Sequence, residues 1–554
     1  MVNILSRPGQ PTDPSLAGLS SRARAWTLFV ACLGVLLVIS SMVALNTALP
    51  DIAKATSASQ AELTWIVDSY TVTLACLLLP AGALGDRYGR RGALLAGLAV
   101  FSLASVAPVI WSDPMHLIIA RGVAGAGAAF VMPATLSLLT ATYPKDQRNK
   151  AVGIWAGTAG TGAVVGMLGS GALLHFWSWQ AIFWAFAGAA ALIFVLTLTV
   201  ATSKEAEPKP LDWLGAVVIG GGVAILVVGI LEAPARGWSD PLVLGCIAVG
   251  IVMSLAFGAI ELRRRHPLLD VRLFANPAFA TGAAAITVFF LAMFGFFFIM
   301  MQHMQLILGY SPIKTAMSLA PIMGPVLVLS ATSFWYLPRV GLRLVVFTGL
   351  TLISAGFFFL RWVEVDSTYW DMAWPMIVMS FGIGLLTAPT TSAIMNTAPD
   401  DKQGVASAVN DTTREMGAAL GIALAGSLLA AKYSDALSPQ LAGFPAPVRD
   451  AAVDSLGQAI EVARRIGPQG TQLADLSKAA FIEAMHTSQL ALAIVVGVGA
   501  VVIGLWAPGR DDEQLRFVRV VRRSRPNERT GGEAGTDPTI SSISATSLNG
   551  RHRA

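Results

Sequence analysis

Residues Gly404–Leu429, GVASAVNDTTREMGAALGIALAGSLL, are apolar and long enough to span a bilayer as one helix, yet they include three charged side chains. These are Asp411, Arg414 and Glu415, within little more than one helical turn. A charge near the bilayer centre costs about 2.5–3.5 kcal/mol on insertion scales, so it is rarely retained without a function. Asp411 and Glu415 are four residues apart and share a helix face. The sequence therefore predicts an intramembrane site for a proton or a cation.

A simpler interpretation of this charged stretch is a buried ion pair between Asp411 and Arg414 that only locks helix packing. Glu415 would still lack an evident partner on its own helix, and a lone intramembrane carboxylate is typically a proton or cation site. Glycines at 417, 421 and 426 predict that neighbouring helices approach this one closely.

The composition indicates an all-α polytopic membrane protein. Of 554 residues, 55% are hydrophobic and 13% charged, whereas soluble domains carry about 25% charged residues. The three cysteines lie in apolar runs and the six histidines do not cluster, so we expect no metal site and no cofactor. We find no GxxxxGK[ST] motif and no nucleophile–base set, and therefore expect neither nucleotide-driven pumping nor an enzyme. The net charge of +5 does not indicate nucleic-acid binding.

Fourteen apolar runs of about 20 residues follow one another along the chain. Lys and Arg concentrate in alternate short loops, which predicts an even number of spans with both termini in the cytoplasm. Residues 432–487 interrupt the pattern between the last two spans. Apolar residues recur there at helical spacing on both sides of GPQG, which predicts an external helical hairpin or, alternatively, a solvated spacer.

The loop after the second run reads GALGDRYGRR, residues 82–91. It could act only as a topology signal, but its spacing resembles the signature loop of the major facilitator superfamily. The resemblance implies a conformational-switch loop that latches the two halves of the protein when it faces outward. Its residues are Gly82, Gly85, Asp86, Arg87, Gly89, Arg90 and Arg91.

Two further motifs resemble the same superfamily. Arg121 opens the fourth run in IIARGVAGAGAAFVMP, where it either snorkels to the interface or takes part in a proton relay. The fifth run resembles the antiporter motif, although Met167 replaces its proline and Ser170 its last glycine, and small-residue packing alone would also explain it. The glycines of this motif are Gly153, Gly162, Gly166 and Gly169.

Residues 46–50, NTALP, and 65–70, WIVDSY, are similar to the fourteen-helix branch called drug:proton antiporter family 2, in its quaternary-ammonium and multidrug exporter type. That branch usually has an Asp where this chain has Ser41. The resemblance makes Asp68 a ligand for a substrate cation, whereas the alternative is a helix-start carboxylate facing water. Residues 289–301, FFLAMFGFFFIMM, either face lipid or form a wall suited to flat organic cations.

The resemblance implies a proton-coupled multidrug antiporter in the cell membrane that exports lipophilic cations such as quaternary ammonium compounds and dyes. We expect small cationic substrates, protons and the lipid bilayer as partners, and a monomer. The alternatives are an exporter of a lipid, an organic acid or a neutral metabolite and, more remotely, a structural or signalling membrane protein.

The implied fold has two six-helix bundles around a central cavity, with two extra helices between them. We expect the following parts: a disordered tail, 1–25; a first bundle, 26–201; the two inserted helices with their loops, 202–271; a second bundle with the hairpin, 272–507; and a basic, then disordered tail, 508–554.

Overall fold

The computed structural model describes residues 19–56, 58, 60–201, 212–265, 267–466 and 468–510, and in these ranges all regular structure is helical. The predicted tails therefore lie mostly outside the described residues, as does the loop 202–211. The helices are α1 (Ser21–Ala44), α2 (Leu49–Thr56), α3 (Gln60–Tyr88), α4 (Arg90–Ile110), α5 (Pro114–Thr142), α6 (Lys145–Phe176), α7 (Gln180–Thr197), α8 (Trp213–Arg236), α9 (Pro241–Glu261), α10 (Pro277–Gln302), α11 (Pro312–Leu319), α12 (Met323–Val340), α13 (Leu342–Phe359), α14 (Tyr369–Thr397), α15 (Gln403–Leu437), α16 (Ala446–Asp454), α17 (Leu456–Arg465) and α18 (Pro468–Trp506).

Fourteen helical segments in the described part of the chain are long and apolar enough to cross a membrane, one for each predicted run. They are α1, α3 to α10, α11 with α12, α13, α14, α15 and α18. The tenth run is not one straight helix. A 3₁₀ segment, Ala320–Ile322, separates α11 from α12, because Pro321 has no N–H to donate within a helix.

Two boundaries differ from those expected from the sequence. Helix α1 begins at Ser21, inside the segment predicted as a tail, because the Ser20 hydroxyl accepts a bond from the Ala23 N–H at 3.2 Å and caps the helix. In the segment 432–487, α16 and α17 divide at Ser455, which caps α17. The second helical stretch of this segment is not separate from the last membrane span, because α18 runs from Pro468 to Trp506 without an internal proline.

The helices form a first group, α1 to α7, and a second group, α10 to α18, with the inserted pair α8 and α9 beside them. Helix α15 packs on α10 and α18 in its own group and on α3 and α5 in the other. Helix α6 packs on α1 and also on α12 and α14, while α8 contacts both α3 and α15. The charged helix α15 and the glycine-rich helix α6 therefore both lie at the boundary between the groups.

Short turns join α3 to α4 and α12 to α13 at the end of the bundle where α15 begins. Both turns depend on a glycine with positive φ, 113° at Gly89 and 82° at Gly341, a conformation that other residues adopt with strain. We call this end the latch side, and the end that carries α16 and α17 the hairpin side.

Candidate functional site

The charged residues of α15 lie inside the protein and not against lipid. The exposed fractions are 0% for Asp411, 2% for Arg414 and 3% for Glu415. Close helix packing encloses them, as the glycines predict: a Cβ at Gly417 would lie 2.4 Å from the Thr287 carbonyl oxygen of α10. At Gly421 a Cβ would meet the next turn of the same helix at 2.2 Å. The small residues of α15 therefore bring its charged face against α10.

Arg414 is held mainly by aromatic rings. Its guanidinium carbon lies 5.1 Å from the centre of the Trp155 ring and 5.3 Å from that of Phe290. One nitrogen, Nη2, donates to the Thr391 hydroxyl at 3.2 Å, whereas Nε and Nη1 are buried without a hydrogen-bond acceptor in the described residues. The closest approach to Asp411 is 3.9 Å, between Nη1 and Oδ1. A tight ion pair that only locks packing is therefore not what the geometry shows.

Glu415 lies on the wall of a small central cavity. Its Oε2 atom is buried without a hydrogen-bond donor among the described residues. The cavity holds about one water molecule, so the site is occluded and has no room for a drug-sized guest. Its walls come from both groups of helices. The lining residues are Ile39, Met42, Ala159, Gly160, Ala163, Phe289, Phe290, Met293, Phe294, Thr387, Arg414, Glu415 and Ala418.

The aromatic and methionine run of α10 therefore contributes to this wall, and four of its residues line the cavity. A second small cavity, lined by apolar residues, shares Gly160 and Met293 with the first. The two cavities are thus neighbours beside α6 and α10, and Glu415 and Arg414 line only the first.

Asp411 lies behind the cavity wall and does not line it. Its Oδ1 atom accepts a bond from the Asn410 side-chain amide at 3.0 Å, and its Oδ2 atom has no donor in the described part of the chain. Arg414 is the nearest cation. Asp411 is thus placed to influence the charge balance at the cavity through Arg414, with no direct contact to a guest.

Arg121 is buried in α5 without a carboxylate among its described contacts. It donates to the Ser41 hydroxyl at 3.0 Å, to the Ser41 carbonyl at 3.2 Å and to the Ile66 carbonyl at 3.3 Å. Its guanidinium carbon lies 4.2 Å from the centre of the Tyr70 ring. Ser41 therefore supplies two of the three oxygens that accept hydrogen bonds from Arg121. Snorkelling to the interface is excluded, because only 3% of Arg121 is exposed.

Asp68 lies half-buried on α3, away from the cavity that Glu415 lines. It interacts electrostatically with Glu232 of the inserted helix α8, whose Oε2 atom accepts a bond from Arg236 at 2.7 Å. The structure thus does not bring Asp68 together with the charges of α15.

The antiporter-motif glycines of α6 are used at two boundaries. A Cβ at Gly153 would lie 2.4 Å from the Ser330 carbonyl oxygen of α12, in the other group. Gly162 and Gly166 contact α1, and a Cβ at Gly166 would meet the Ser40 carbonyl oxygen at 2.6 Å. Gly169 has no atom within 4 Å of such a Cβ. Without a proline at 167, α6 continues unbroken to Phe176.

The signature loop joins the two groups at the latch side. Asp86 accepts bonds from the backbone N–H of Gly404 at 2.8 and 2.9 Å and of Val405 at 3.1 Å, at the start of α15. It also pairs with Arg90 at 2.9 Å, and Arg90 donates to the Asp400 carbonyl at 3.2 Å. A carboxylate at a helix N-terminus is favoured by the helix dipole and by the N–H groups that have no partner inside the helix.

The rest of the loop supports this contact. A Cβ at Gly82 would lie 2.5 Å from the Gly404 carbonyl oxygen, and one at Gly85 would make an ordinary contact. The Arg87 guanidinium lies over the Tyr88 ring, and Arg91 donates to the Leu198 carbonyl. The loop therefore contacts both α15 and the end of α7.

A second set of contacts at the latch side was not predicted. Arg148 of α6 pairs with Asp400 at 2.9 Å, Lys145 adds a contact at 3.7 Å, and the Asn396 side chain donates to Asn149 at 2.9 Å. From the sequence, Lys145 and Arg148 were interpreted only as topology signals, and the role of Asp400 as their partner was not predicted. The available signal was a pair of adjacent acids, Asp400 and Asp401, in a short loop on the side where the other loops are rich in Lys and Arg.

Comparison with known proteins gives a family model and individual relatives. The model described as Major Facilitator Superfamily matches residues 31–422. The tetracenomycin C resistance and export protein of Streptomyces glaucescens is 29% identical over 509 residues, which cover 89% of this chain and 94% of that protein. The methyl viologen resistance protein SmvA of Salmonella typhimurium is 30% identical over 471 residues, or 83% and 93% of the two chains.

A solved structure shares the fold. The bacterial homolog of the human lysosomal transporter Spinster, solved in an inward-facing and unoccupied conformation, has a TM-score of 0.57 at 15% identity. The match covers 90% of this chain and 100% of that one. With fourteen helices long and apolar enough to span a membrane in its described ranges, and a family match across most of its length, the chain belongs to the Major Facilitator Superfamily.

Proposed function

We propose that this protein is a proton-coupled multidrug exporter of the cell membrane, an antiporter that exchanges protons for lipophilic organic cations. One observation carries the proposal: the Glu415 carboxyl lies on an aromatic and methionine-lined cavity between the two helix groups, with its Oε2 atom unpartnered in the described chain. An apolar wall with a single carboxylate suits a flat cation, because rings stack on the wall and the positive charge pairs with the acid.

The exchange follows from competition for one carboxylate. Removal from water disfavours the charged form of a carboxyl group, while a nearby cation favours it. A bound organic cation therefore expels the proton from Glu415, and a proton arriving from outside displaces the cation. When no guest is bound, the guanidinium of the adjacent residue Arg414 provides a positive counter-charge for an ionised Glu415.

Transport requires the cavity to open, since it now holds about one water molecule. We take the latch side as cytoplasmic, with both termini there. The contacts of Asp86 with Gly404 and of Arg148 with Asp400 close this side. Breaking them would let the two groups rock about the central site, as in other transporters built from repeated bundles. The division into two bundles and an inserted pair of helices, with the boundaries given in the sequence analysis, stays a prediction.

The names of the relatives support a role in export, and one name supports an organic cation as the substrate. A relative named for methyl viologen resistance fits the proposed substrate class, since methyl viologen is an organic dication. We assign Asp68 to an outer cation contact, because it is a half-buried acid on a membrane helix outside the central cavity. The protein works as a monomer in this proposal and needs no cofactor beyond the proton gradient.

A second candidate substrate class is organic acids or neutral compounds. Arg414 lies on the same wall as Glu415, so an anionic guest would also find a counter-charge. The relative named for tetracenomycin C export shows that relatives at this similarity are not limited to methyl viologen.

The proposal is tested in everted vesicles with an imposed proton gradient, using a panel of cationic, neutral and anionic dyes. We expect energised uptake of cations by the wild type and uptake at the level of empty vesicles for Glu415→Gln, because a glutamine cannot release a proton. Glu483→Gln, which changes an exposed glutamate of α18, is the matched control. Energised cation uptake by Glu415→Gln at the wild-type rate would refute the coupling role. Uptake confined to anionic or neutral dyes would favour the second candidate.

A further inference from the structure

The start of α8 and the end of α9 lie together at the latch side, and two acids meet there. Asp212 precedes α8, and Glu261 is the last residue of α9. Only 3% of Glu261 and 6% of the Asp212 side chain are exposed. The central cavity and the latch use neither residue.

One oxygen of each acid has an ordinary structural partner. The Asp212 Oδ1 atom accepts from the Gly215 N–H at 2.9 Å and caps α8. The Glu261 Oε2 atom accepts from the Leu269 N–H at 3.0 Å and so fixes the loop that returns from α9. These contacts explain why the two side chains are held, and they leave one oxygen on each.

The two remaining oxygens face the same point. A Cβ placed on Gly215 would lie 2.5 Å from Glu261 Oε1 and 3.3 Å from Asp212 Oδ2. Both oxygens are buried and accept no hydrogen bond from the described residues. The two carboxyl groups are nevertheless within hydrogen-bonding reach of each other. Ionised carboxylates only accept hydrogen bonds, so this contact lacks a donor.

Among the described residues, the basic side chains near the pair do not supply that donor. Arg264 approaches Asp212 Oδ2 at 3.3 Å without forming a hydrogen bond, and its own side chain is half exposed. Arg272 donates to the Leu262 carbonyl and Lys402 to the Pro267 carbonyl, both at 3.5 Å. In the part of the chain that the structure describes, one half-exposed cation, Arg264, therefore faces the two buried acids.

We infer that Glu261 and Asp212 share one proton, forming a proton-binding site at the latch side of the inserted helices and outside the transport cavity. The proton sits between Glu261 Oε1 and Asp212 Oδ2 and serves as the missing donor. The pair then carries one negative charge, which Arg264 balances.

The shared proton has a structural consequence. It holds the end of α9 to the start of α8, and through the Leu269 N–H it holds the following loop, whose Leu268 and Leu269 are buried. The Lys402 contact links this loop to the segment just before α15. Loss of the proton places two like charges in contact inside the protein and loosens this corner. The inference concerns the folded chain and does not depend on the proposed transport function.

The test is the pH dependence of thermal unfolding of the purified full-length protein in detergent. A proton bound in the folded state stabilises it below the pH at which the proton leaves, and this stabilisation is lost as the pH rises. We expect the wild-type midpoint to fall at alkaline pH. The Glu261→Gln variant should resist this fall, because its side-chain amide donates to Asp212 permanently.

The matched control is Asp240→Asn. Asp240 caps the N-terminus of α9 as Asp212 caps the N-terminus of α8, but it lies at the other end of the inserted pair, and asparagine keeps the capping bond. Asp212→Asn should flatten the pH dependence and Asp240→Asn should leave it as in the wild type. Infrared difference spectra between neutral and alkaline pH should show the loss of a protonated carboxyl band that Glu261→Gln lacks.

Two results would overturn the inference. The first is an identical fall of the midpoint with pH in the wild type and in Glu261→Gln. The second is a midpoint that changes at constant pH when sodium or potassium replaces choline in the wild type but not in Glu261→Gln, because the pair would then hold a metal cation.

Discussion

Arg121 of α5 and Arg414 of α15 are both buried almost completely, yet their surroundings differ in kind. Three nitrogens of Arg121 donate to oxygens of Ser41 and Ile66. Only one nitrogen of Arg414 donates, to Thr391, and its nearest carboxylate is 3.9 Å away. A buried charge whose hydrogen bonds are all satisfied stabilises the fold. A buried charge with unused donors is free to form new hydrogen bonds when a guest or a proton binds.

The same contrast separates the two helix groups. In the first group, the described contacts of Arg121 are neutral oxygens and the Tyr70 ring, none of which exchanges a proton near neutral pH. The second group holds a guanidinium beside two acids, Asp411 and Glu415, one of which lines the cavity. The comparison assigns proton exchange to α15 and support to α5.

The largest expected effect on transport comes from Arg414→Met. Without this cation, Asp411 and Glu415 lose the positive charge that offsets their burial, so both stay protonated and the exchange stops. We expect energised dye uptake to fall to background. The loss of stability should be about 1.5–3 kcal/mol, since only one hydrogen bond made by a charged group is lost. Vesicle uptake and chemical unfolding measure the two quantities, and wild-type uptake by this variant would contradict the comparison.

For Arg121→Met we expect the opposite result, a large loss of stability and a smaller loss of transport. It removes three hydrogen bonds made by a charged group, each worth roughly 1.5–3 kcal/mol, and leaves the Ser41 and Ile66 carbonyls without their donor. We expect a loss of about 4.5 kcal/mol or more in unfolding free energy, with less loss of uptake per folded molecule than in Arg414→Met.

The graded control for this variant is Ser41→Ala, which removes only one of the three acceptors and should cost about 1.5–3 kcal/mol. If Arg121→Met unfolds at the same denaturant concentration as the wild type, Arg121 is not a structural charge.

The sequence was sufficient for the number and position of the spans, because each is an apolar run whose length is set by the bilayer. It also located the charges of α15, since Asp411 and Glu415 stand out from an otherwise apolar helix. The glycines of this helix correctly predicted close packing at Gly417 and Gly421, where only a missing side chain allows the observed contact with α10.

The partners of those charges could not be predicted. Trp155 lies more than 250 positions before Arg414 in the chain, and helical periodicity does not say which helices become neighbours. The use of Asp400 by Arg148 is non-local for the same reason. The separation of α16 from α17 was missed because a serine cap is a weak local signal between two stretches with the same periodicity.

Proton release on substrate binding tests the central claim most directly. Purified protein in weakly buffered detergent solution is mixed with a saturating lipophilic cation while a pH-sensitive dye reports free protons. We predict release of up to about one proton per wild-type or Glu483→Gln molecule and none from Glu415→Gln, because Glu415 is the group that gives up its proton to the guest. Equal proton release from Glu415→Gln and the wild type would contradict the account.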